Sequence, residues 1–381
     1  ALARRRGQHV IHRSEALALA ATGQRFVAVA GTHGKTTSSA MIALALVEAG
    51  ADPSFAIGSP VQALGTGSRR GTGVFIAEAD ESDKSFLNYR PSIELVTNVE
   101  PEHLENFGSP AQFHETFALF ADLLEPGGVL ICGAEDPGSA ALADRMRQRD
   151  DLTVLTFGRP EKCAVAPDVA ITGVCLTATG STATLTFRGE QTPLTLQVTG
   201  EHNVLNGAGA WATCLALGLT ADQAATGVAA FTGTERRFQF CGTVGERTLY
   251  DDYAHHPTEV AAAIRQARVV AGSGRVVVVF EPHLYSRTQF FSSELATALA
   301  LADVAVVADI DPVREVPIPG VTSALIVDAA PPGARLVAGG PVSDAARMGA
   351  ALCAPGDLCL LMGAGRVNMQ EGTVLDYWQT H

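Results

Sequence analysis

The sequence lacks the features that would indicate a membrane, secreted or nucleic-acid-binding protein. No apolar run reaches the roughly 20 residues that a membrane-spanning helix needs, and no signal-peptide pattern opens the printed sequence. The seven cysteines form no C-x-x-C pair, so neither a zinc site nor a disulfide framework is indicated. A formal net charge of -13 argues against a nucleic-acid surface. We therefore expect a cytoplasmic protein without nucleic-acid or membrane partners, and its oligomeric state stays open.

Aromatic residues are also scarce, at 6%, whereas hydrophobic residues make up 47% and glycine occurs 38 times. This composition is typical of a soluble α/β enzyme rich in Ala, Val and Leu, and 381 residues suggest two or three domains. Short strand patterns alternate with helical ones, as in doubly wound sheets. The first half predicts buried parallel strands at 26–30, 74–77, 95–97 and 129–131, then an antiparallel addition at 169–171, 183–187 and 194–198. A second α/β unit begins near Gly242, with strands at 276–280, 304–307 and 358–362 and helices at 257–271 and 290–302.

The segment Gly31-Thr32-His33-Gly34-Lys35-Thr36-Thr37 follows the strand at 26–30 and opens a helical pattern at 38–49. A loop in this position turns backbone N–H groups toward an anion, and its glycines let a phosphate approach. Lys35 supplies positive charge, and the Thr36 hydroxyl can reach Mg²⁺. The strict P-loop pattern has another glycine where Val29 stands, so the segment predicts a compact variant of a nucleoside triphosphate site. A glycine-rich turn that binds nothing is the alternative.

Two polar segments follow the next two predicted strands. Residues 78–83 (Glu-Ala-Asp-Glu-Ser-Asp) come after the strand at 74–77, and residues 97–103 (Thr-Asn-Val-Glu-Pro-Glu-His) come after the strand at 95–97. Parallel sheets bind ligands at the carboxyl ends of their strands. Carboxylate oxygens, an imidazole and the Thr36 hydroxyl together would suit Mg²⁺ held against a triphosphate. Solvated acidic loops are the alternative.

With these three segments the chain resembles the Mur ligase family, the ATP-dependent amide ligases of peptidoglycan precursor synthesis, from about residue 10 to near the C-terminus. The resemblance implies a central P-loop-type ATPase domain, with a mostly parallel sheet plus a small antiparallel addition, and a Rossmann-like C-terminal domain. The implied bounds are 1–22 for the tail of an N-terminal UDP-binding domain, 23–239 for the central ATP-binding domain and 240–381 for the amino-acid-binding domain. Because the rest of the first domain is missing from the printed sequence, we expect either a fragment or a fold that lost that domain.

The resemblance also implies an ATP site. The family's magnesium-binding Glu and His fall on Glu78 and His103, beside Thr36. Residues 200–206 (Gly-Glu-His-Asn-Val-Leu-Asn) match the adenine-side motif, in which the Asn206 amide reads the base; a polar helix N-terminus is the alternative. Arg237 would meet nucleotide phosphate, and Asp252 would bind the ribose hydroxyls. The implied ATP ligands are Gly31, Thr32, Gly34, Lys35, Thr36, Thr37, His202, Asn203, Asn206, Arg237 and Asp252.

Within the family, residues 280–288 (Phe-Glu-Pro-His-Leu-Tyr-Ser-Arg-Thr) resemble the alanine-adding branch. They imply substrate contacts from His283, Tyr285 and Arg287, and a guanidinium suits a two-bond contact with the alanine carboxylate. A surface Arg is the alternative. No lysine lies in 104–120, where several ligases that add later amino acids carry a carbamylated one. The sequence departs from the family pattern at Glu102, Asp311 and Arg366.

The implied reaction joins L-alanine to the lactoyl carboxylate of UDP-N-acetylmuramate through an acyl phosphate, with ATP and Mg²⁺ as cofactors. Lys35 and Mg²⁺ would offset charge in phosphoryl transfer, and Arg287 would hold the amino acid. His33 or His255 would accept the amine proton, although the pair His255-His256 before Pro257 is alternatively a helix cap. Two other functions stay open: a ligase that attaches a recycled tripeptide to the same sugar, and a P-loop ATPase or kinase domain without ligase chemistry.

Overall fold

The structure is a computed structural model that describes residues 2–381, apart from the side chains of Arg4, Leu104 and Glu105. The chain divides into two units. The first contains the chain up to Cys175, Thr182–Gln197 and His202–Thr232, and the second contains Leu176–Ser181, Val198–Glu201 and Gly233–His381. Within the described range, no helix combines the length and the apolar character needed to cross a membrane.

In the described residues the larger sheet has ten strands, most of which lie in the first unit. They are β1 (Phe26–Ala30), β2 (Ser54–Val61), β3 (Thr66–Arg69), β4 (Phe75–Glu78), β5 (Ile93–Val96), β6 (Val129–Gly133), β7 (Thr153–Gly158), β8 (Val169–Thr177), β9 (Gly180–Phe187) and β10 (Glu190–Leu196). Their order is β10-β9-β8-β7-β6-β5-β1-β4-β2-β3. All neighbours from β8 to β2 pair in parallel, and β3 is antiparallel to β2. Two-residue turns join β8, β9 and β10, a connection that only antiparallel strands allow. The predicted mostly parallel sheet with a small antiparallel addition is confirmed.

Eight α-helices accompany this sheet in the part of the chain that the structure describes. They are α1 (Leu2–Arg5), α2 (Arg13–Ala20), α3 (Lys35–Glu48), α4 (Leu104–Phe107), α5 (Pro110–Ala121), α6 (Pro137–Met146), α7 (Glu201–Ala216) and α8 (Ala221–Ala229). Ser109 and Asp136 cap α5 and α6 through their side-chain oxygens, and each is followed by a proline in the first turn. An aromatic cluster fills the core under α5, where Phe86 stacks on Phe120 with ring centroids 4.4 Å apart.

The position of β1 determines where a ligand can bind. This strand lies between β4 and β5, so the chain leaves β1 for one side of the sheet and later crosses to the other. Such a switch point opens a crevice at the carboxyl ends of the strands. All five residues of β1 are buried, which fixes the strand and leaves the loop after Ala30 at the mouth of that crevice.

The second unit has a six-stranded sheet of order β11-β12-β16-β13-β14-β15. Its strands are β11 (Gln239–Val244), β12 (Arg247–Asp252), β13 (Val276–Phe280), β14 (Val304–Ala308), β15 (Leu336–Gly340) and β16 (Leu358–Met362). Its helices are α9 (Pro257–Ala271), α10 (Tyr285–Leu299), α11 (Ala324–Asp328), α12 (Val342–Leu352) and α13 (Glu371–Thr380). In the described residues β11 pairs antiparallel with β12, and the other neighbouring strands of this sheet pair in parallel. Hydrophobic clusters cover both faces of the sheet, as expected for strands as apolar as β13 and β16.

Two helix predictions were wrong in their bounds. The helix predicted at 38–49 begins at Lys35, because Gly34 takes a left-handed conformation (φ 85°) and the loop enters the helix directly. The helix predicted at 290–302 is α10, at 285–299. It follows Leu284, whose φ is 72°, and no side chain caps it, so the sequence carries no start signal there. Strands β2, β3, β7, β11, β12 and β15 were not predicted.

Candidate active site

The loop between β1 and α3 is shaped by two glycines with positive φ. Gly31 has φ 131° and Gly34 has φ 85°. A Cβ atom on Gly31 would overlap the Thr97 hydroxyl, and one on Gly34 would overlap the Asn206 amide oxygen. Neither position therefore accepts a side chain. The close approach also places Asn206, on α7, directly against this loop.

Residues after β5 hold this loop in place. The His33 N–H donates to Asn98 Oδ1 at 2.9 Å, and both Asn98 and the Thr97 hydroxyl donate to the His33 carbonyl. The Thr32 hydroxyl donates to the Glu100 carbonyl at 2.8 Å and accepts from the Glu100 N–H at 3.0 Å. The His33 ring lies 3.5 Å from a Glu100 carboxylate oxygen. Sequence reasoning did not assign Thr97, Asn98 or Glu100 to the site.

Lys35 is buried in an ion pair with Glu81. Its Nζ lies 2.8 and 3.0 Å from the two Glu81 oxygens and also donates to the carbonyls of Gly31 and Thr32. Burial lowers the pKa of Lys35, but the adjacent Glu81 charge outweighs it and the pKa lies above its ordinary value. Burial raises the pKa of Glu81, and Lys35 offsets that effect only in part. Glu81 lies inside the acidic segment at 78–83, yet nothing in the sequence distinguishes it from its neighbours.

The structure brings together two of the three residues expected to bind magnesium. The Thr36 hydroxyl donates to Glu78 Oε2 at 3.1 Å, and the Gly58 N–H donates to Glu78 Oε1 at 2.6 Å. His103 lies in a cluster with Glu81 and Glu102, whose potential ligand atoms all fall within 4.8 Å of one another. The carboxylate and hydroxyl oxygens fit a hard divalent cation that also binds phosphate oxygens, whereas the His103 imidazole is an unusual ligand for such a cation.

The adenine-side motif forms the first turns of α7. His202, Asn203 and Asn206 all lie there, and the two asparagines are buried. Gly200, with φ 113°, makes the turn into the helix. The polar helix N-terminus that the sequence allowed is therefore present, and Asn206 additionally packs on Gly34.

In the second unit, Asp252 ends β12 and is buried. Its oxygens accept the Phe238 N–H at 2.8 Å and the Ala254 N–H at 2.7 Å. Burial raises the pKa of Asp252 to about 6, although the nearby Arg237 charge lowers it. Arg237 lies 3.4 Å from Glu259 and over the Tyr253 ring.

The two adjacent histidines take different positions at the start of α9. His256 is the N-cap residue and forms a capping box with Glu259, so the cap interpretation is confirmed for that residue. The His255 Nδ1 lies 2.9 Å from the Tyr253 carbonyl and 3.4 Å from Glu259. The rings of His255 and His283 are also neighbours, with their centroids 6.0 Å apart.

His283 and Arg287 meet at the carboxyl end of β13. The Arg287 Nη1 lies 3.1 Å from His283 Nδ1, and Arg287 is only 7% exposed. The surface interpretation of Arg287 is therefore wrong. Tyr285 is half-buried at the first position of α10. An unassigned residue, Glu281, directly follows β13; it is buried and accepts the Val367 N–H at 2.7 Å.

Comparisons with known proteins identify the family of this chain. The model of the Mur ligase middle domain matches residues 29–214, and that of the Mur ligase glutamate ligase domain matches residues 236–365. The UDP-N-acetylmuramate–L-alanine ligase of Arthrobacter sp. (strain FB24) is 49% identical over 356 residues, which cover 93% of this chain and 74% of that protein. The same enzyme of Kineococcus radiotolerans is 50% identical over 378 residues, which cover 98% of this chain and 79% of that protein.

Solved structures share the fold at lower identity. The UDP-N-acetylmuramate–alanine ligase MurC of Thermotoga maritima has a TM-score of 0.79 at 24% identity, covering 100% of this chain and 81% of that one. The murein peptide ligase of Psychrobacter arcticus has a TM-score of 0.71 at 22% identity, and the match covers 100% of this chain and 83% of that one. MurF of Thermotoga maritima, solved in complex with ADP, has a TM-score of 0.71 at 17% identity, and the match covers 97% of this chain and 84% of that one. The family models and the close relatives together show that this chain belongs to the Mur ligase family.

Proposed function

We propose that this chain catalyses the ATP-dependent ligation of L-alanine to the lactoyl carboxylate of UDP-N-acetylmuramate, in the cytoplasm. The observation that carries the proposal is the phosphate loop, where Lys35 and the Thr36–Glu78 pair lie beside two glycines that exclude side chains. The identity of 49–50% to alanine ligases supports this choice of substrates. We assign ATP binding mainly to a domain at 23–239 and amino-acid binding to a domain at 240–381.

The first step in this proposal is phosphoryl transfer from ATP to the carboxylate. A carboxylate is a poor electrophile, and the acyl phosphate provides a leaving group. The backbone N–H groups of the loop and Lys35 would hold the phosphates, which is mainly positioning and charge stabilisation. Thr36, Glu78 and His103 would hold Mg²⁺, which would supply positive charge against the phosphate oxygens. His202, Asn203 and Asn206 would bind the adenine, with Arg237 on phosphate and Asp252 on the ribose.

The second step is attack by the alanine amine. Arg287 would bind the alanine carboxylate, with His283 orienting the guanidinium through its 3.1 Å contact and Tyr285 beside them. The amine must lose a proton to form the amide. His33 and His255 each have a carboxylate within 3.5 Å, so both can carry the positive charge that proton transfer creates, and both stay candidates.

A turnover assay tests this function. The purified protein is given ATP, Mg²⁺, UDP-N-acetylmuramate and L-alanine, and the expected products are ADP, phosphate and UDP-N-acetylmuramoyl-L-alanine. Replacing L-alanine by the recycled tripeptide should abolish product formation. Turnover with the tripeptide alone would indicate the recycling ligase, and phosphate release that needs no amino acid would indicate an ATPase without ligase chemistry.

A further inference from the structure

Every donor of the Lys35 ammonium group already has an acceptor within the protein. An ammonium carries three N–H groups. The Gly31 carbonyl lies 2.5 Å from Nζ, the Thr32 carbonyl 3.1 Å, and the Glu81 carboxylate oxygens 2.8 and 3.0 Å. A phosphate that contacts Lys35 must therefore displace at least one of these partners.

Glu81 is the strongest of the three competitors. The two carbonyls are neutral, whereas Glu81 is anionic, and hydrogen bonds between ionised groups are roughly twice as strong as neutral ones. Glu81 is also only 2% exposed. In the described part of the chain, Glu81 Oε2 accepts no hydrogen bond of good geometry, and Lys35 is the cation that forms an ion pair with it. A buried carboxylate without a cation is strongly unfavourable.

We propose that Glu81 is a positioning residue that holds Lys35 on the phosphate loop and competes with nucleotide phosphate for it. The proposal rests on the proposed function, because it takes Lys35 as a phosphate ligand. Glu81 holds Nζ beside the Gly31 and Thr32 carbonyls. Nucleotide binding then has to loosen a formed ion pair, and this lowers the affinity of the loop for phosphate.

The test is the equilibrium affinity for ADP with EDTA present, so that metal ligation does not contribute. Glu81→Gln keeps the size of the side chain but removes the charge, and the affinity should rise about threefold or more. Glu81→Asp withdraws the carboxylate by one methylene group and should give an intermediate affinity. If the Gln variant does not fold, the Asp variant decides the test, since it must still bind more tightly than wild type.

Asp80→Asn is the matched control. Asp80 affects the pKa of Lys35 through its charge alone, whereas Glu81 also accepts a hydrogen bond from the Lys35 ammonium group. The Asn variant should change ADP affinity by less than about twofold, because the charge interaction between Asp80 and Lys35 is screened and weak. An equal rise in both variants would mean a general charge effect and would overturn the proposal.

Lys35→Ala separates this inference from the proposed function. If Lys35→Ala leaves ADP affinity unchanged, the loop is not the phosphate site and the proposed function loses its main support. If Lys35→Ala weakens ADP binding but folded Glu81 variants bind no more tightly than wild type, only the competition by Glu81 is overturned.

Discussion

At the scale of single residues, the proposed site depends on a few charged groups that are almost entirely buried. Arg287 is 7% exposed and Glu81 is 2% exposed. Burial strengthens every electrostatic contact and also makes each missing partner costly. A substitution of Arg287 should therefore change the binding of the amino acid, and a substitution of Glu81 the binding of the nucleotide.

Arg287→Ala should raise the KM for L-alanine roughly tenfold or more, because it removes a charge-assisted contact to the alanine carboxylate. The KM for ATP should change little. Arg287→Lys should restore only part of the affinity, since an ammonium cannot make the planar two-bond contact. Steady-state kinetics with each substrate varied in turn provide the measurement. An unchanged KM for L-alanine would remove Arg287 from the amino-acid site.

Glu78→Gln should raise the Mg²⁺ concentration that gives half-maximal activity, by about tenfold, because it deletes an anionic ligand from a hard cation. Glu78 is held for this role by Thr36 and the Gly58 N–H. Titration of turnover with Mg²⁺ at saturating ATP is the measurement, with Asp83→Asn in the same segment as the control. A Mg²⁺ dependence equal to that of wild type would contradict the assignment.

At the scale of secondary-structure elements, β5 combines an apolar environment with an ionisable residue. Glu94 is fully buried in this central strand, opposite Ala28 of β1 and Leu130 of β6. In the described part of the chain neither carboxylate oxygen has a hydrogen-bond partner. Burial raises the pKa of Glu94 well above its ordinary value. The folded protein therefore binds a proton there that the unfolded chain releases more readily.

Glu94→Met should stabilise the protein, because Met has a similar volume and no polar atoms to desolvate. The free energy of unfolding should rise by roughly 1–3 kcal/mol. Because the pKa of Glu94 is raised in the folded state, ionisation of this residue destabilises the folded protein as pH rises above about 4.5, the ordinary pKa of a glutamate. The gain should therefore be larger at pH 8 than at pH 5. Denaturant unfolding at both pH values measures it.

The control for that experiment is Glu48→Met, at the exposed end of α3, which should change stability by less than about 0.5 kcal/mol. A loss of stability in Glu94→Met, or a gain independent of pH, would show that the carboxyl group has a partner in solution.

The strands and the site residues differ in how far the sequence could predict them. β1, β13 and β16 are wholly apolar because both faces are buried, and such runs are recognisable in any context. β12 was missed because the charged residues Arg247, Asp251 and Asp252 interrupt the apolar pattern of this partly buried strand. In the site, the linear motifs predicted Lys35, Glu78 and Asn206. Their partners, such as Glu81 for Lys35, depend on side-chain directions that no local pattern contains.

At the scale of the whole molecule, each unit has hydrophobic clusters of its own. A ligand that binds only the folded state stabilises it by mass action, by about 2.7 kcal/mol at one hundred times its Kd. ADP with Mg²⁺ should therefore raise the unfolding temperature by roughly 5–10 °C in the transition that includes the phosphate loop.

Lys35→Ala should remove most of this ADP-dependent shift, whereas Arg287→Ala should keep it, because Arg287 is assigned to the amino acid. Differential scanning calorimetry with and without ADP measures both variants. A Lys35→Ala protein stabilised by ADP as strongly as wild type would contradict the assignment of the loop.

The buried Lys35–Glu81 pair also bears on the design of inhibitors. A compound that carries only a phosphate mimic has to separate Lys35 from its carboxylate, and it leaves that carboxylate buried without a cation. A neutral compound leaves the pair intact and gains nothing from either charge. A scaffold that presents an acid to Lys35 and an amine to Glu81 would satisfy both groups at once. If Lys35 binds phosphate as proposed, zwitterionic inhibitors should bind more tightly than purely anionic ones.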